Sequence, residues 1–142
     1  MGFSRYFQKD HNFMFTKISG EINDDNLMDH VLALNKKTDG ITNLKELADC
    51  REITSMEKLT VQGIVRCSQS ETNRPESLLA LLVTDSTFLY GMARAYQTFS
   101  IDRRKAVMIF KNINEALIWL ANDDREVEVL KDFVHDNAWM KS

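Results

Sequence analysis

Residues 78–121 decide the fold class of this chain, and they read LLALLVTDSTFLYGMARAYQTFSIDRRKAVMIFKNINEALIWLA. The apolar run 78–83 is typical of a strand that is buried on both faces. Thr84-Asp85-Ser86 then supplies side chains that cap a helix. The apolar residues of that helix recur at helical spacing: Phe88, Leu89, Met92, Ala93 and Tyr96.

The second half of the stretch repeats this pattern. Residues 106–110 form another apolar run, and Asn112 with Glu115 resembles a capping box for a helix through Trp119 and Leu120. Alternating units of this kind build a parallel sheet that is covered by helices. The strand residues that we expect to be buried are Leu79, Leu81, Val83, Val107 and Ile109.

The residues before this stretch predict the first half of the sheet. Segments 4–10 and 12–19 are rich in aromatic and β-branched residues and predict a hairpin, so the first pairing is antiparallel. A helix begins after Asn23 and ends before Gly40. The hairpin residues expected to be buried are Phe13, Phe15 and Ile18. The helix carries an apolar stripe of Leu27, Val31 and Leu34, widened by Met28 and Leu32.

The remaining segments complete an α/β order of ββαβαβαβα plus a C-terminal helix. Residues 44–50 predict a short third strand, which Lys45, Glu46 and Asp49 interrupt. Thr54 and Glu57 resemble a capping box for the next helix. Residues 122–124 cap the last one. The predicted fold is therefore a mixed sheet, with its first strand antiparallel and the rest parallel, in one domain over residues 1–142.

Charge and composition narrow the class of partner. The formal net charge is −3, which argues against a nucleic-acid-binding protein because such proteins normally carry a basic field. We interpret the basic cluster Arg103-Arg104-Lys105 as a solubilising edge of a strand rather than as a phosphate site. No apolar segment reaches the roughly 18 residues of a transmembrane helix.

The N-terminal residues and the cysteines favour a cytoplasmic protein. Residues 1–20 lack the apolar core of a signal peptide, because Lys9-Asp10-His11 falls in their middle. Cys50 and Cys67 are isolated from each other and have no metal-ligand spacing. Two buried thiols in a reducing compartment are the simplest interpretation.

Several short motifs of the chain match a known family. They are Ile18-Ser19-Gly20, Ala48-Asp49-Cys50-Arg51, Tyr90-Gly91-Met92-Ala93-Arg94, and Phe110 followed by residues 114–120. With the predicted order of elements, they resemble the STAS fold of anti-sigma factor antagonists and sulfate-transporter tails. The resemblance is closer to the bacterial SpoIIAA-like, STAS-related small stand-alone proteins. Packing explains each motif, with Gly91 allowing close helix approach, so the resemblance implies a fold and only a general function.

The resemblance also implies a position for a phosphorylatable serine. In anti-sigma factor antagonists this serine lies after the third strand, and the matching position here holds Lys58. This departure argues against the same phospho-switch. Thr54 and Ser55 lie close by and are the alternative acceptors, since a phosphate is stabilised at a helix N-terminus.

The sequence offers no constellation that predicts catalysis. The histidines lie far apart without ligand spacing, and the five glycines form neither a phosphate-binding loop nor a dinucleotide fingerprint. We therefore expect neither a metal nor a cofactor, and we expect the protein not to be an enzyme. A ligand site is predicted at Asp85, Ser86, Tyr90 and Arg94, because unpaired N–H groups at a helix start attract anions.

Two functional classes remain open from the sequence. The first is a cytoplasmic regulatory module that binds a protein partner or itself. The second is a module that holds a small apolar or anionic ligand between a helix layer and the sheet, as lipid-binding STAS-like and Sec14-like proteins suggest by fold analogy.

The last helix provides the argument for self-association. Val127, Leu130, Phe133 and Val134 form an apolar stripe that Ala138, Trp139 and Met140 continue. Monomeric proteins rarely expose such a stripe to water. We therefore predict a symmetric homodimer through the helix of residues 122–142, with docking on its own domain as the alternative.

Overall fold

The structure is a computed structural model that describes the backbone of residues 2–140 and the side chains of residues 2–137. Its strands are β1 (Gly2–Gln8), β2 (Phe13–Glu21), β3 (Lys45–Ser55), β4 (Arg74–Leu82) and β5 (Arg104–Phe110). Its α-helices are α1 (Asp24–Lys37), α2 (Val61–Gln69), α3 (Thr87–Phe99), α4 (Ile113–Leu120) and α5 (Asp124–Met140). The predicted order of strands and helices is confirmed.

The five strands form one sheet in which spatial order follows chain order, β1-β2-β3-β4-β5. β1 pairs antiparallel with β2, and the other pairs are parallel, as predicted. Each parallel crossover advances in the same direction across the sheet. Because such crossovers are right-handed, they place α1, α2 and α3 on the same face. The opposite face is left for segments that follow β5.

Two buried clusters occupy these two faces. The cluster beneath α1, α2 and α3 includes Ile18, Val31, Leu79, Leu81, Leu89 and Val107. The cluster beneath α4 and α5 includes Phe13, Phe15, Leu82, Leu117, Leu120 and Leu130. The apolar run of β4 is buried on both faces of the sheet, as predicted. β4 lies between β3 and β5, and the middle strand of the sheet is β3.

The start of α2 differs from the prediction. β3 continues to Ser55, so Thr54 and Glu57 do not cap a helix, and Thr60 is the N-cap instead. The Thr60 hydroxyl accepts from Gly63 N at 2.9 Å and donates to Asp24 Oδ2 at 2.8 Å. A Cβ at Gly63 would lie 2.0 Å from Asp24 Oδ1, so a larger residue here would displace the carboxylate that accepts hydrogen bonds from Thr60. Thr60 caps the helix through a residue only three positions on, but the sequence also offers Thr54 with Glu57, and only the extent of β3 excludes that earlier start.

Some residues of the predicted apolar faces are less buried than expected. Leu32 and Phe88 are 53% and 54% exposed, and Ile109 is only partly buried. A helix on a sheet buries a limited arc, and Leu32 and Phe88 lie beyond it. Gly91, which we expected at a close helix approach, has open space where a Cβ would stand. Pro75 lies inside β4 at a break in the ladder, where its missing N–H costs no hydrogen bond.

α5 docks on the sheet of its own chain. Leu130 and Val134 are buried in the cluster beneath α4 and α5, and the Phe133 ring packs edge-on against Phe13 at 5.9 Å. The predicted stripe continues through Ala138, Trp139 and Met140, whose side chains lie outside the described part of the chain. The predicted dimer helix extends to Ser142, which also lies outside it. Three of the four residues of the stripe, Leu130, Phe133 and Val134, have an intramolecular partner, so an uncovered stripe no longer argues for a dimer.

Glu126 anchors the first turn of α5 to the sheet. Its carboxylate accepts from His11 Nδ1 at 2.8 Å, from Asn122 N at 2.7 Å, and from the Lys45 ammonium group. Burial alone would raise the pKa of this carboxyl. The hydrogen bonds from Lys45 and His11 outweigh it and lower the pKa from 4.5 to about 2.

Replacing Glu126 with glutamine is expected to destabilise the protein by about 1.5–3 kcal/mol at pH 7, the range for hydrogen bonds to a charged group. Because the folded-state pKa is depressed, the carboxylate stabilises the fold fully above pH 4.5 and loses this effect as the pH falls towards 2. The difference between wild type and variant in urea titrations should therefore shrink on acidification. Glu128→Gln, at an exposed site on the same helix, is the matched control. A difference that stays constant down to pH 3 would contradict this role.

Candidate functional site

A mainly apolar cavity of about 80 Å³ lies between the α1–α3 layer and the sheet. Every element from β2 to α3 contributes to its wall, together with the loops on either side of α2. Its apolar wall includes Ala48, Leu81, Leu89 and Ala93, together with the flexible side chains of Met56 and Met92. Protein interiors rarely leave gaps much larger than a water molecule, so this space is a candidate site.

Four polar side chains also line the cavity. They are His30 from α1, Glu46 from β3, Glu71 from the loop after α2, and Tyr96 from the last turns of α3. The side chains of Glu46 and Glu71 are each only 3% exposed. Buried carboxylates require charged or hydrogen-bonding partners, and the surrounding elements supply them.

Arg104, the first residue of β5, joins the two carboxylates. Its Nε donates to Glu71 Oε1 at 2.7 Å and its Nη2 to Glu46 Oε1 at 3.0 Å. Burial opposes the charge of Arg104, but Glu71 and Glu46 outweigh it and raise its pKa above the ordinary value. The interpretation of residues 103–105 as a solubilising edge is therefore wrong for Arg104, whose side chain is 1% exposed. It holds for Lys105, which is exposed.

Glu46 and Glu71 each have a further partner. The Thr16 hydroxyl donates to Glu46 Oε2 at 2.9 Å. Burial would raise the pKa of Glu46, but His30 and Arg104 outweigh it and lower the pKa to about 2. The Tyr96 hydroxyl donates to Glu71 Oε2. Burial, followed by the charge of Glu71, raises the pKa of Tyr96 well above its usual value. At neutral pH the Glu46 carboxylate is therefore ionised and Tyr96 keeps its proton.

The edge strand β1 orients His30. Arg5 Nη1 lies 3.0 Å from His30 Nδ1, and Phe3 stacks on the ring with centroids 4.6 Å apart. A guanidinium only donates hydrogen bonds, so Nδ1 accepts and the ring hydrogen is on Nε2. His30 Nε2 faces Glu46 Oε2 at 3.8 Å, which is longer than a hydrogen bond.

The predicted residues Asp85, Ser86, Tyr90 and Arg94 lie on the exposed surface of α3 and do not line the cavity. Ser86 caps the helix by accepting from Leu89 N at 3.2 Å. Lys111, which we did not predict, pairs with Asp85 at 3.1 Å and lies 5.7 Å from the centroid of the Tyr90 ring. Spatial order follows chain order among the parallel strands, so the sheet lacks the switch point at which open sheets usually bind ligands.

The alternative phosphate acceptors do not lie at a helix start. Thr54 and Ser55 are the last residues of β3, and Ser55 Oγ accepts from Glu57 N at 3.4 Å. The favourable interaction with a helix N-terminus that we expected for a phosphate here is therefore absent, since α2 begins at Val61. The sequence offers Thr54 and Ser55 only as alternative acceptors and does not predict their phosphorylation, which stays untested.

Within residues 2–140, no group of three or more His, Cys, Asp or Glu residues is placed to hold a metal ion. Cys50 and Cys67 are free and buried. Burial raises the pKa of Cys50 to about 12 and that of Cys67 to about 11. Neither thiol is therefore activated as a nucleophile at neutral pH.

One sequence signal could have identified the polar end of the cavity. Glu46 is one of the residues that interrupt the predicted third strand, residues 44–50. In a middle strand that is covered on both faces, such a residue is buried and needs a cation. Glu71 carried no comparable signal, because it lies in a polar loop.

Comparison with solved structures identifies the architecture as SpoIIAA-like. The chain is similar to an uncharacterised protein of the DUF3478 family from Shewanella loihica PV-4, which is described as having a SpoIIAA-like fold. The identity is 14% and the TM-score 0.60, and the match covers 84% of this chain and 94% of that one. This likeness establishes the fold and confirms the predicted SpoIIAA-like, STAS-like resemblance. No protein-family model and no curated protein matches the sequence.

Proposed function

We propose that this protein, with its SpoIIAA-like fold, is a non-catalytic regulatory module. It is regulated by a small apolar molecule that binds in the cavity between the α1–α3 layer and the sheet. The cavity itself is the observation that carries the proposal. Its wall is mainly apolar, and it encloses polar groups at one end, as ligand pockets commonly do. Met56 and Met92 in the wall can adapt to different occupants.

The proposal joins the two classes that the sequence left open. Phe88 on α3 and Val61 on α2 are both exposed, and both stand at the first residues of helices whose inner faces line the cavity. A ligand that shifts α2 or α3 would therefore alter an exposed apolar surface that a protein partner can contact. Regulation in this form needs no reacting group, in agreement with the absence of an activated thiol.

Three further predictions are part of the proposal. The first is a cytoplasmic location, which the two free cysteines suit. We treat residues 1–142 as one domain. Self-association stays a prediction, although α5 now has an intramolecular partner, and light scattering at tens of micromolar tests it.

The surface set Asp85, Ser86, Tyr90 and Arg94 is the second candidate site. Lys111 supports it, because this residue adds a positive charge beside Tyr90. The anion would lie at the start of α3, outside the cavity, so a substitution at one site should leave the other intact.

Substitutions at two neighbouring residues of α3 distinguish the two candidate sites experimentally. Ala93→Leu extends an apolar side chain into the cavity, and we expect it to abolish xenon-induced shifts of cavity amides in NMR spectra. Because the added atoms fill existing space, the melting temperature should stay the same or rise. Arg94→Ala alters only the exposed face and should leave xenon binding unchanged, while weakening any binding of inorganic phosphate at the start of α3.

Native mass spectrometry of the purified full chain complements the NMR experiment, since it reports co-purified small molecules and oligomeric state together. If xenon leaves the cavity amides of the wild type unshifted, and Ala93→Leu lowers the melting temperature sharply, the space is not available to a ligand. That result would remove the basis of the proposed function.

A further inference from the structure

The charges around the polar end of the cavity indicate which ligands can bind there. Among the described residues that line the cavity, the charged ones are Glu46 and Glu71. Arg104 bridges both carboxylates from behind, and Arg74 pairs with Arg104 in the β4–β5 register. Two buried guanidinium groups therefore balance two buried carboxylates, and the third guanidinium at this end, that of Arg5, is only partly buried. A ligand that brought a net charge of either sign would unbalance this cluster in a site with little access to water.

A carboxylate head group would be particularly unfavourable. It would add a third negative charge beside Glu46 and Glu71, and the compensating guanidinium of Arg104 already donates to both carboxylates. Arg74 is not free to respond, because its side chain donates to the carbonyl oxygens of Ile41 and Thr38. Burying an uncompensated charge costs several kcal/mol, so the anionic ligand that the sequence left open is disfavoured here.

The same cluster retains hydrogen-bonding capacity of both kinds. Glu46 Oε1 accepts a hydrogen bond from Arg104 and Glu71 Oε2 accepts one from Tyr96, and each carboxylate oxygen has two acceptor positions. On the donor side, His30 Nε2 faces Glu46 Oε2 at 3.8 Å, a long contact that a ligand oxygen can replace. Arg104 Nη1 is buried without a partner among the described residues, but Arg104 does not line the cavity. Open acceptor positions beside the His30 donor suit a group that both donates and accepts.

We propose that the cavity selects small uncharged molecules that carry one hydroxyl group, such as short aliphatic alcohols. The hydroxyl lies at the end formed by His30, Glu46, Glu71 and Tyr96, and the apolar body extends towards Leu81 and Leu89. The volume of about 80 Å³ is smaller than a cavity of about 150 Å³ that accepts benzene, which limits the ligand to few carbon atoms unless a methionine moves. This inference rests on the proposed function, because it names the ligand class of that cavity.

A series of three matched probes tests the inference on the full-length wild-type chain. 1-Pentanol, pentanoate and pentylamine have the same carbon chain and differ in the charge of the head group at pH 7. We expect 1-pentanol to bind at least about tenfold more tightly than either ion in NMR titrations, because an uncompensated buried charge costs well over 1.4 kcal/mol. Its amide shifts should include Glu46, Glu71 and Tyr96, and Ala93→Leu should abolish them.

The outcomes separate this inference from the proposed function. If pentanoate or pentylamine binds as tightly as 1-pentanol, or if xenon binds and none of the three probes does, the selection of a hydroxyl is wrong while the cavity remains a ligand site. Shifts from 1-pentanol that map to Asp85–Arg94 on the α3 surface would also overturn it. If neither xenon nor any probe perturbs the cavity amides, the proposed function fails and the inference fails with it.

Discussion

Replacing Arg104 with alanine is expected to destabilise the protein by about 3–5 kcal/mol, the usual cost of removing one partner from a buried ion pair. The substitution leaves the carboxylates of Glu46 and Glu71 buried near each other without the guanidinium that donates to both. Urea titration followed by circular dichroism measures the loss. Lys105→Ala changes the next residue of the same strand, which is exposed, and should cost no more than about 0.5 kcal/mol.

A second set of variants tests the cause of this loss. If unpaired charge is responsible, adding Glu46→Gln and Glu71→Gln to Arg104→Ala should recover part of the stability, because the triple variant no longer buries a lone carboxylate. A cost below about 1 kcal/mol for Arg104→Ala, or no recovery in the triple variant, would mean that the charge cluster contributes little to the fold.

Shortening either of two adjacent leucines in β4 is expected to cost about 2–5 kcal/mol, the range for a buried Leu→Ala substitution. Leu81 faces the cavity beneath α1–α3, and Leu82 faces the cluster beneath α4 and α5. The stability cost of Leu81→Ala should lie nearer the lower end of this range, because part of the space around Leu81 is already empty. It should also enlarge the cavity and admit longer alcohols, whereas Leu82→Ala should not.

Comparing these two variants tests two assignments at once, the interior position of the strand and the position of the cavity beside Leu81. Equal behaviour of the two variants towards ligands would mean that the cavity does not adjoin Leu81. A cost near zero for both would mean that residues 78–83 are not an interior strand. Met108→Ala in β5 is a suitable control, because Met108 is partly exposed.

Local sequence patterns predicted the elements of the sheet well, for a clear physical reason. A strand that is covered on both faces must be apolar throughout, and the run 78–83 meets this requirement without interruption. Capping side chains such as Asn23, Ser86 and Asn112 act within three residues, so the sequence indicated where α1, α3 and α4 begin. The start of α2 was missed because Thr54 with Glu57 offers a competing capping pattern, whereas β3 continues to Ser55 and Thr60 is the residue that caps the helix.

The candidate site was much less predictable than the fold. Its polar residues come from α1, β3, the loop after α2, α3 and β5, and no two of them are neighbours in sequence. Each alone has an ordinary surface explanation, which is why Arg104 was interpreted as a solubilising residue. The predicted set Asp85, Ser86, Tyr90 and Arg94 was chosen for the unpaired N–H groups at a helix start, and these do not show whether the nearby side chains face a cavity or solvent.

The sequence by itself determined the type and order of the elements, since both follow from contacts made within a few residues and from the periodicity of burial. Only the tertiary structure decided that α5 covers its own sheet. Three right-handed crossovers in one direction place α1, α2 and α3 on one face, so the other face is left for α4 and α5. It also decided which charges are buried and where a cavity remains, because both depend on how residues from distant elements pack together.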